Sequence, residues 1–208
     1  MTDEPRMEAD EITIPLDSLE LRMLVPGAEE DSGSRISFWW GITTAAVGLA
    51  NHLESLGDLS GQRVIDLGCG LGVAGIAAAM VGARVTFTDY KAAALAFAEQ
   101  NSRLNGLDED STEFRSLDWD NPGELPRFNM IIGSEILYDY YFHGSLIRLV
   151  NRILQPGGSI VLSDRKRLVV TRFLGRLVGS GFLCSETSFR VNVPDFPDQE
   201  ISVFTLKR

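Results

Sequence analysis

A chain of 208 residues with 44% hydrophobic residues can bury a full core and fits one domain better than two. Its formal charge of −10 is uneven. Residues 1–31 carry ten acids against Arg6 and Arg22, so the body is close to neutral and shows no basic face of the kind that nucleic-acid binding needs. The first ten residues are expected to be disordered, with one domain over 11–208. Acidic residues at this end either attract a basic protein or are simply solvated; the sequence leaves both open. No apolar run is long enough to span a bilayer, and Met1-Thr2-Asp3-Glu4-Pro5 is unlike a signal peptide. Neither a membrane nor a nucleic acid is therefore an expected partner.

In chain order, Glu11–Leu16 and Leu19–Val25 alternate apolar and polar residues around Asp17-Ser18, which predicts a hairpin over about 11–26. Pro26-Gly27 ends it, and a polar loop runs to Ser34 before a core expected over about 38–208. Helical spacing follows over Ala45–Leu56, then a short strand Val64–Leu67, a helix Val73–Val81 stopped by Gly82, and a strand Arg84–Thr88. Lys91–Leu104 is an alanine-rich helix stopped by Asn105-Gly106. Phe114–Leu117 and Asn129–Gly133 read as strands, and Tyr140–Leu154 as a helix ended by Pro156-Gly157-Gly158. Strand Ser159–Ser163, helix Leu168–Gly179 and two strands, Phe182–Val191 and Ile201–Leu206, complete the chain. Alternating strands and helices specify an α/β, Rossmann-like doubly wound sheet, mostly parallel. The last two strands have no helix between them and must be antiparallel.

Only Cys69 and Cys184 are present, and Cys69 lies in a glycine loop, so a reducing cytoplasm is the expected location. His52 and His143 have no Cys or His partner at ligand spacing, and no metal is expected.

The densest signal is Val64-Ile65-Asp66-Leu67-Gly68-Cys69-Gly70-Leu71-Gly72, a strand that ends in a carboxylate and breaks into three glycines. Glycines there let the backbone turn sharply and bring N–H groups close to a ligand at the start of the next helix. The following strand ends in Asp89, at the offset where an acid meets a ribose hydroxyl pair. Together these describe a nucleoside-binding βαβ unit. Gly70-x-Gly72-x-x-Gly75 also matches the dinucleotide fingerprint. Against that reading, the loop's first glycine is Gly68, and Asp66 would repel a pyrophosphate while suiting a cationic group.

Asp66-x-Gly68-x-Gly70-x-Gly72 resembles motif I of the class I S-adenosylmethionine (SAM)-dependent methyltransferases. The resemblance implies a seven-stranded sheet with an antiparallel last strand, SAM as cofactor and S-adenosylhomocysteine (SAH) as product. Ligands of such folds sit beyond the carboxyl ends of the strands. Asp66, Gly68, Cys69, Gly70 and Gly72 are then expected around the methionine moiety, and Asp89 on the ribose, with two oxygens for two hydroxyls. Tyr90 either flanks the adenine or is a plain surface residue. Trp119 and Asp118 offer a purine an apolar face and an acceptor for its amine, although a tryptophan can equally pin a loop.

Gly133-Ser134-Glu135-Ile136-Leu137-Tyr138 narrows the resemblance. Its Glu-x-x-Tyr is similar to the (Asp/Glu)-x-x-(Tyr/Phe) signature of the seven-strand protein lysine methyltransferases. That group includes the branch acting on the electron-transfer flavoprotein β subunit and its nicotinamide N-methyltransferase-like bacterial relatives. Glu135 and Tyr138 are then the expected catalytic pair, one accepting hydrogen bonds from a lysine amine and the other orienting it; Glu135 could instead bind the cofactor's amino group. Ser134 is placed with the cofactor. The family's Trp-x-x-x-Trp-Pro is incomplete: the first Trp aligns with Trp39, while Thr43 and Thr44 replace the second Trp and the Pro. Either Trp40 replaces the second Trp at the cofactor or that contact is absent. Arg165-Lys166-Arg167, past the fifth core strand, either grips an acidic part of a substrate or forms a solvated turn. Three functional readings follow: a protein lysine N-methyltransferase, a small-molecule N- or O-methyltransferase, and an idle SAM- or nucleotide-sensing module.

Overall fold

The computed structural model describes residues 9–27, 41–191 and 198–208. Strands β1 (Ala9–Pro15) and β2 (Glu20–Pro26) form an antiparallel hairpin in register from Ala9↔Pro26 to Pro15↔Glu20, so β1 starts two residues before the expected Glu11. The hairpin buries Ile14, Leu21 and Met23. Its turn is fixed by Glu54, whose carboxylate accepts from the Asp17 and Ser18 amides (2.9 and 2.6 Å) and from the Ser18 hydroxyl (2.7 Å).

Helix α1 (Thr44–Ser55) is capped by the Thr43 hydroxyl, which accepts from the Ala46 amide at 3.1 Å. Then come β3 (Arg63–Leu67), α2 (Val73–Met80), β4 (Arg84–Asp89), α3 (Ala92–Leu104), β5 (Thr112–Ser116) and β6 (Phe128–Ser134). Helix α4 (His143–Ile153), β7 (Leu154–Asp164), α5 (Leu168–Gly179), β8 (Leu183–Val191) and β9 (Gln199–Lys207) follow. The second sheet has seven strands in the order β5-β4-β3-β6-β7-β9-β8. Its β3 to β7 pairs are parallel, and β9 inserts antiparallel between β7 and β8.

Alternation along the strands divides the core into two layers. Val64, Val85, Phe87, Met130, Ile132, Val161 and Val203 join the layer under α1, α2 and the hairpin. Ile65, Leu67, Ile131, Ile160, Leu162 and Phe204 join the layer under α4 and α5. Helix α2 is buried from Val73 to Ala79, which its small residues permit. Gly75 shows how close it lies: a Cβ there would stand 2.3 Å from Phe87 Cε1.

The helix expected from Tyr140 begins at His143, after a 3₁₀ turn over Tyr140–Phe142. Asp139 starts that turn by accepting from the Tyr141 amide (2.9 Å), and buried His143 donates from Nε2 to the Leu137 carbonyl (3.0 Å). Local side-chain bonds of this kind compete with a continuous helix. Leu154 to Gly158, expected as the helix end, belongs to β7; the register against β6 slips between Phe128 and Met130 to absorb the extra residues.

Candidate active site

The carboxyl ends of β3, β4, β6 and β7 meet on one edge of the sheet, and the chemically loaded residues gather there. In the loop after β3, Gly68, Gly70 and Gly72 have φ of 66°, 53° and 90°, the region where a Cβ is costly. A Cβ on Gly68 would also come within 3.1 Å of Ile136 Cγ2 and 3.4 Å of Trp119 Cζ2, so loop, tryptophan and the β6 tip converge. The Gly72 amide closes the turn on the Cys69 carbonyl (2.8 Å), and the Cys69 amide bonds across to Thr88 (2.9 Å).

Asp89, 6% exposed at the β4 tip, accepts from the Gly70 amide through Oδ2 (3.1 Å) and from the Lys91 amide through Oδ1 (2.9 Å). Each oxygen keeps a further lone pair. Asp66 lies beneath the loop, 2% exposed, accepting from the Gly75 amide near the start of α2 (3.1 Å). Burial, opposed by that bond and aided by Asp89, pushes its carboxyl from 3.8 up to about 7. Burial also raises Asp89, and it raises the half-buried Cys69 thiol further with help from both acids. Two buried carboxylates held above their ordinary range favour a cationic neighbour, which would restore their ionised forms. The aminoacyl-sulfonium group of SAM has that charge, so the residues present fit this cofactor.

Trp119 is half-buried, with its ring edge-on to Phe142 at 5.7 Å. Exposed Asp118 accepts from the Asp120 amide (2.9 Å) and the Asn121 side chain (3.3 Å), and the first of these bonds leads in lowering its pKa. Tyr90 is 69% and Tyr138 47% exposed. Burial raises the Tyr138 phenol first, and the charges of Tyr90, Asp139 and Asp89 add to the effect. Trp40, like Trp39, lies outside the described residues.

Ser134 is half-buried in register with Ser163 of β7. Glu135 follows with φ 51°, the one non-glycine residue with positive φ among the described residues. For a residue with a long side chain that conformation costs energy, and such strain concentrates at functional sites. The Glu135 amide is fixed to the Ser163 carbonyl (2.9 Å), and its side chain is 13% exposed. Arg165 donates to Oε1 through Nε and lies 3.1 Å away through Nη2 as well, which leaves Oε2 without a hydrogen-bond partner among the described residues.

The basic run after β7 is thus neither free nor simply solvated. Arg165 pairs with Glu135, Lys166 with Glu186 (2.9 Å), and Arg167 with Asp164 (Nε, 2.9 Å). Asp164 is the acid that sequence reading missed, because the predicted strand stopped one residue short of it. Its side chain is buried, its Oδ2 lacks a hydrogen-bond partner among the described residues, and burial, opposed by Arg167 and aided by Glu135, pushes it to about 6. The available signal was position: an acid at a strand tip, as at Asp66, Asp89 and Glu135.

Among the described residues no cluster of three or more His, Cys, Asp or Glu is placed to hold a metal, and no helix is long and apolar enough to cross a membrane.

The fold is shared with SMU.776, solved in complex with SAH, at a TM-score of 0.71 and 19% identity over 100% of this chain and 57% of that one. Protein N-lysine methyltransferase METTL21A of Xenopus tropicalis is 35% identical over 59% of each chain. A ubiquinone biosynthesis O-methyltransferase of Pseudomonas syringae is 32% identical over 56% of this chain and 50% of its own. The chain thus spans about half the length of the curated relatives it matches. Residues 28–178, from ahead of α1 to the end of α5, match the lysine methyltransferase family, and the chain belongs to that family.

Proposed function

We propose that this chain is a SAM-dependent protein lysine N-methyltransferase, with Glu135 and Tyr138 at the acceptor and the loop after β3 at the cofactor. The observation that carries the reading is Glu135. It is a carboxylate on a strained backbone at the β6 tip, with one oxygen clamped by Arg165 and the other unpartnered among the described residues, three residues before the exposed Tyr138. When bound, SAM supplies a methyl group on a positively charged sulfur. The protein's task is then to hold a deprotonated amine in line with that carbon. Glu135 Oε2 accepts a hydrogen bond from the lysine Nζ, and the Tyr138 ring walls the amine while its ammonium proton passes to water. The Nζ lone pair forms the new N–C bond as the S–C bond breaks, and its electrons stay on sulfur, giving SAH. Asp89 takes the ribose hydroxyls on its remaining lone pairs, and Trp119 with Asp118 receives the adenine. Family membership and the METTL21A similarity support a lysine in a protein as acceptor. The O-methyltransferase similarity supports a small-molecule acceptor as the second reading. A cytoplasmic location is part of the proposal.

The test is a paired measurement on Glu135→Gln and Glu135→Ala: SAM binding by calorimetry, and single-turnover labelling of a cell lysate. The expected result is near-unchanged SAM affinity with transfer lowered by orders of magnitude, since the lost contact acts chiefly in the transition state. Loss of both together would assign Glu135 to the cofactor, and loss of neither would remove it from the site.

A further inference from the structure

Helix α3 stands between the N-terminal hairpin and the glycine loop, and one of its faces touches both. Ala98, Asn101 and Asn105 lie at helical spacings of three and four, on a common face. Ala98 is packed under Gly72 so closely that a Cβ there would meet its Cβ at 3.2 Å. Asn105 clips β2 at Arg22, accepting from its amide (2.9 Å) and donating to its carbonyl (2.7 Å). Asn101 does the same at Leu24, accepting from the amide (2.6 Å) and donating to the carbonyl (3.2 Å).

Asn101 differs in one respect. Its Nδ2 also donates to the Leu71 carbonyl, at 3.0 Å, inside the loop between Gly70 and Gly72. The residue is fully buried, so each of its polar atoms depends on these partners. One amide group therefore holds the hairpin's edge strand and the cofactor loop at once.

We infer that Asn101 is a positioning residue that couples docking of the N-terminal hairpin to the shape of the cofactor loop. Among the described residues no hydrogen bond runs directly from the hairpin to the glycine loop; the hydrogen-bonded link is Asn101. Docking orients the Nδ2–H bonds, which fix the Leu71 carbonyl and, through the peptide plane they share, the Gly72 amide. By reciprocity, a ligand that orders the loop tightens the hairpin. The coupling to SAM rests on the cofactor reading above, whereas the coupling of hairpin to loop does not.

Asn105 provides the control, because it makes the same clip without the loop bond. Amide hydrogen exchange at Leu24 and Gly72 is followed in the full chain, with and without saturating SAH, alongside SAH affinity by calorimetry. In the unaltered protein, SAH slows exchange at Leu24 as well as at Gly72. Asn105→Ala speeds exchange at Arg22 but leaves Gly72 exchange and SAH affinity within about twofold. Asn101→Ala and Asn101→Asp, which both lose the donor, speed Gly72 exchange even without ligand and weaken SAH binding about tenfold. The inference is overturned if SAH binds the unaltered protein by calorimetry yet leaves Leu24 exchange unchanged, a result that needs no variant to fold. It is also overturned if Asn105→Ala loosens Gly72 as much as the Asn101 variants do. An unaltered protein that fails to bind SAH while Asn101→Asp still loosens Gly72 would instead contradict the cofactor reading and uphold the hairpin–loop coupling.

Discussion

Replacing Asp66 by Asn removes a charge that the fold has to bury. Because burial raises its carboxyl from 3.8 to about 7, the group contributes stability that is fully present below the unfolded value and is lost as pH rises through the folded one. A difference of about three pH units corresponds to roughly 4 kcal/mol of destabilisation by pH 8 in the ligand-free protein. Asn escapes that penalty and keeps a carbonyl oxygen for the Gly75 amide, while its NH₂ group, buried without a sure partner, costs about 1–3 kcal/mol. The expected net effect is a ligand-free variant about 1–3 kcal/mol more stable than the parent at pH 8, with the advantage gone or reversed at pH 4.5. Urea unfolding of both proteins at the two pH values, with SAM removed, measures the crossover. A variant less stable by the same amount at both would show that the parent does not bury a reluctant charge, and the electrostatic reasoning about the loop would fail with it.

Asp89→Ala should weaken SAM binding by about 2–3 kcal/mol, through lost ribose bonds and a Gly70 amide left without its acceptor; an unchanged dissociation constant by calorimetry would move the ribose elsewhere. Gly75→Ala should lower stability by about 1–3 kcal/mol, because the added methyl must displace the buried Phe87 ring, which is stacked on Phe114 at 4.9 Å. An unshifted Tm would show that α2 and β4 separate more easily than their packing suggests.

The strand tips were legible because each signal was local: an apolar run, an acid, then glycine or a turn. Asp66, Asp89 and Glu135 fall at those tips, and the terminal strands pair antiparallel as their short connection requires. Pairings across the sheet left no such trace. Nothing near Glu135 indicates that Arg165, thirty residues away, clamps one of its oxygens, or that its φ is positive. Asn101 reads as one polar residue in an alanine-rich helix, although its partners are 77 and 30 residues away. The 3₁₀ start of α4 was missed for a different reason. Tyr140-Tyr141-Phe142-His143 fits a helical pattern, and the bond from His143 back to Leu137 outweighs that preference.

Lysine methylation itself is tested most directly by incubating the protein with methyl-labelled SAM and a cell lysate, then hydrolysing the labelled material to amino acids. The account predicts label in one or a few protein bands, recovered as N-methylated lysine, and none with Glu135→Ala. Label confined to small molecules, or recovered on a protein residue other than lysine, would contradict it.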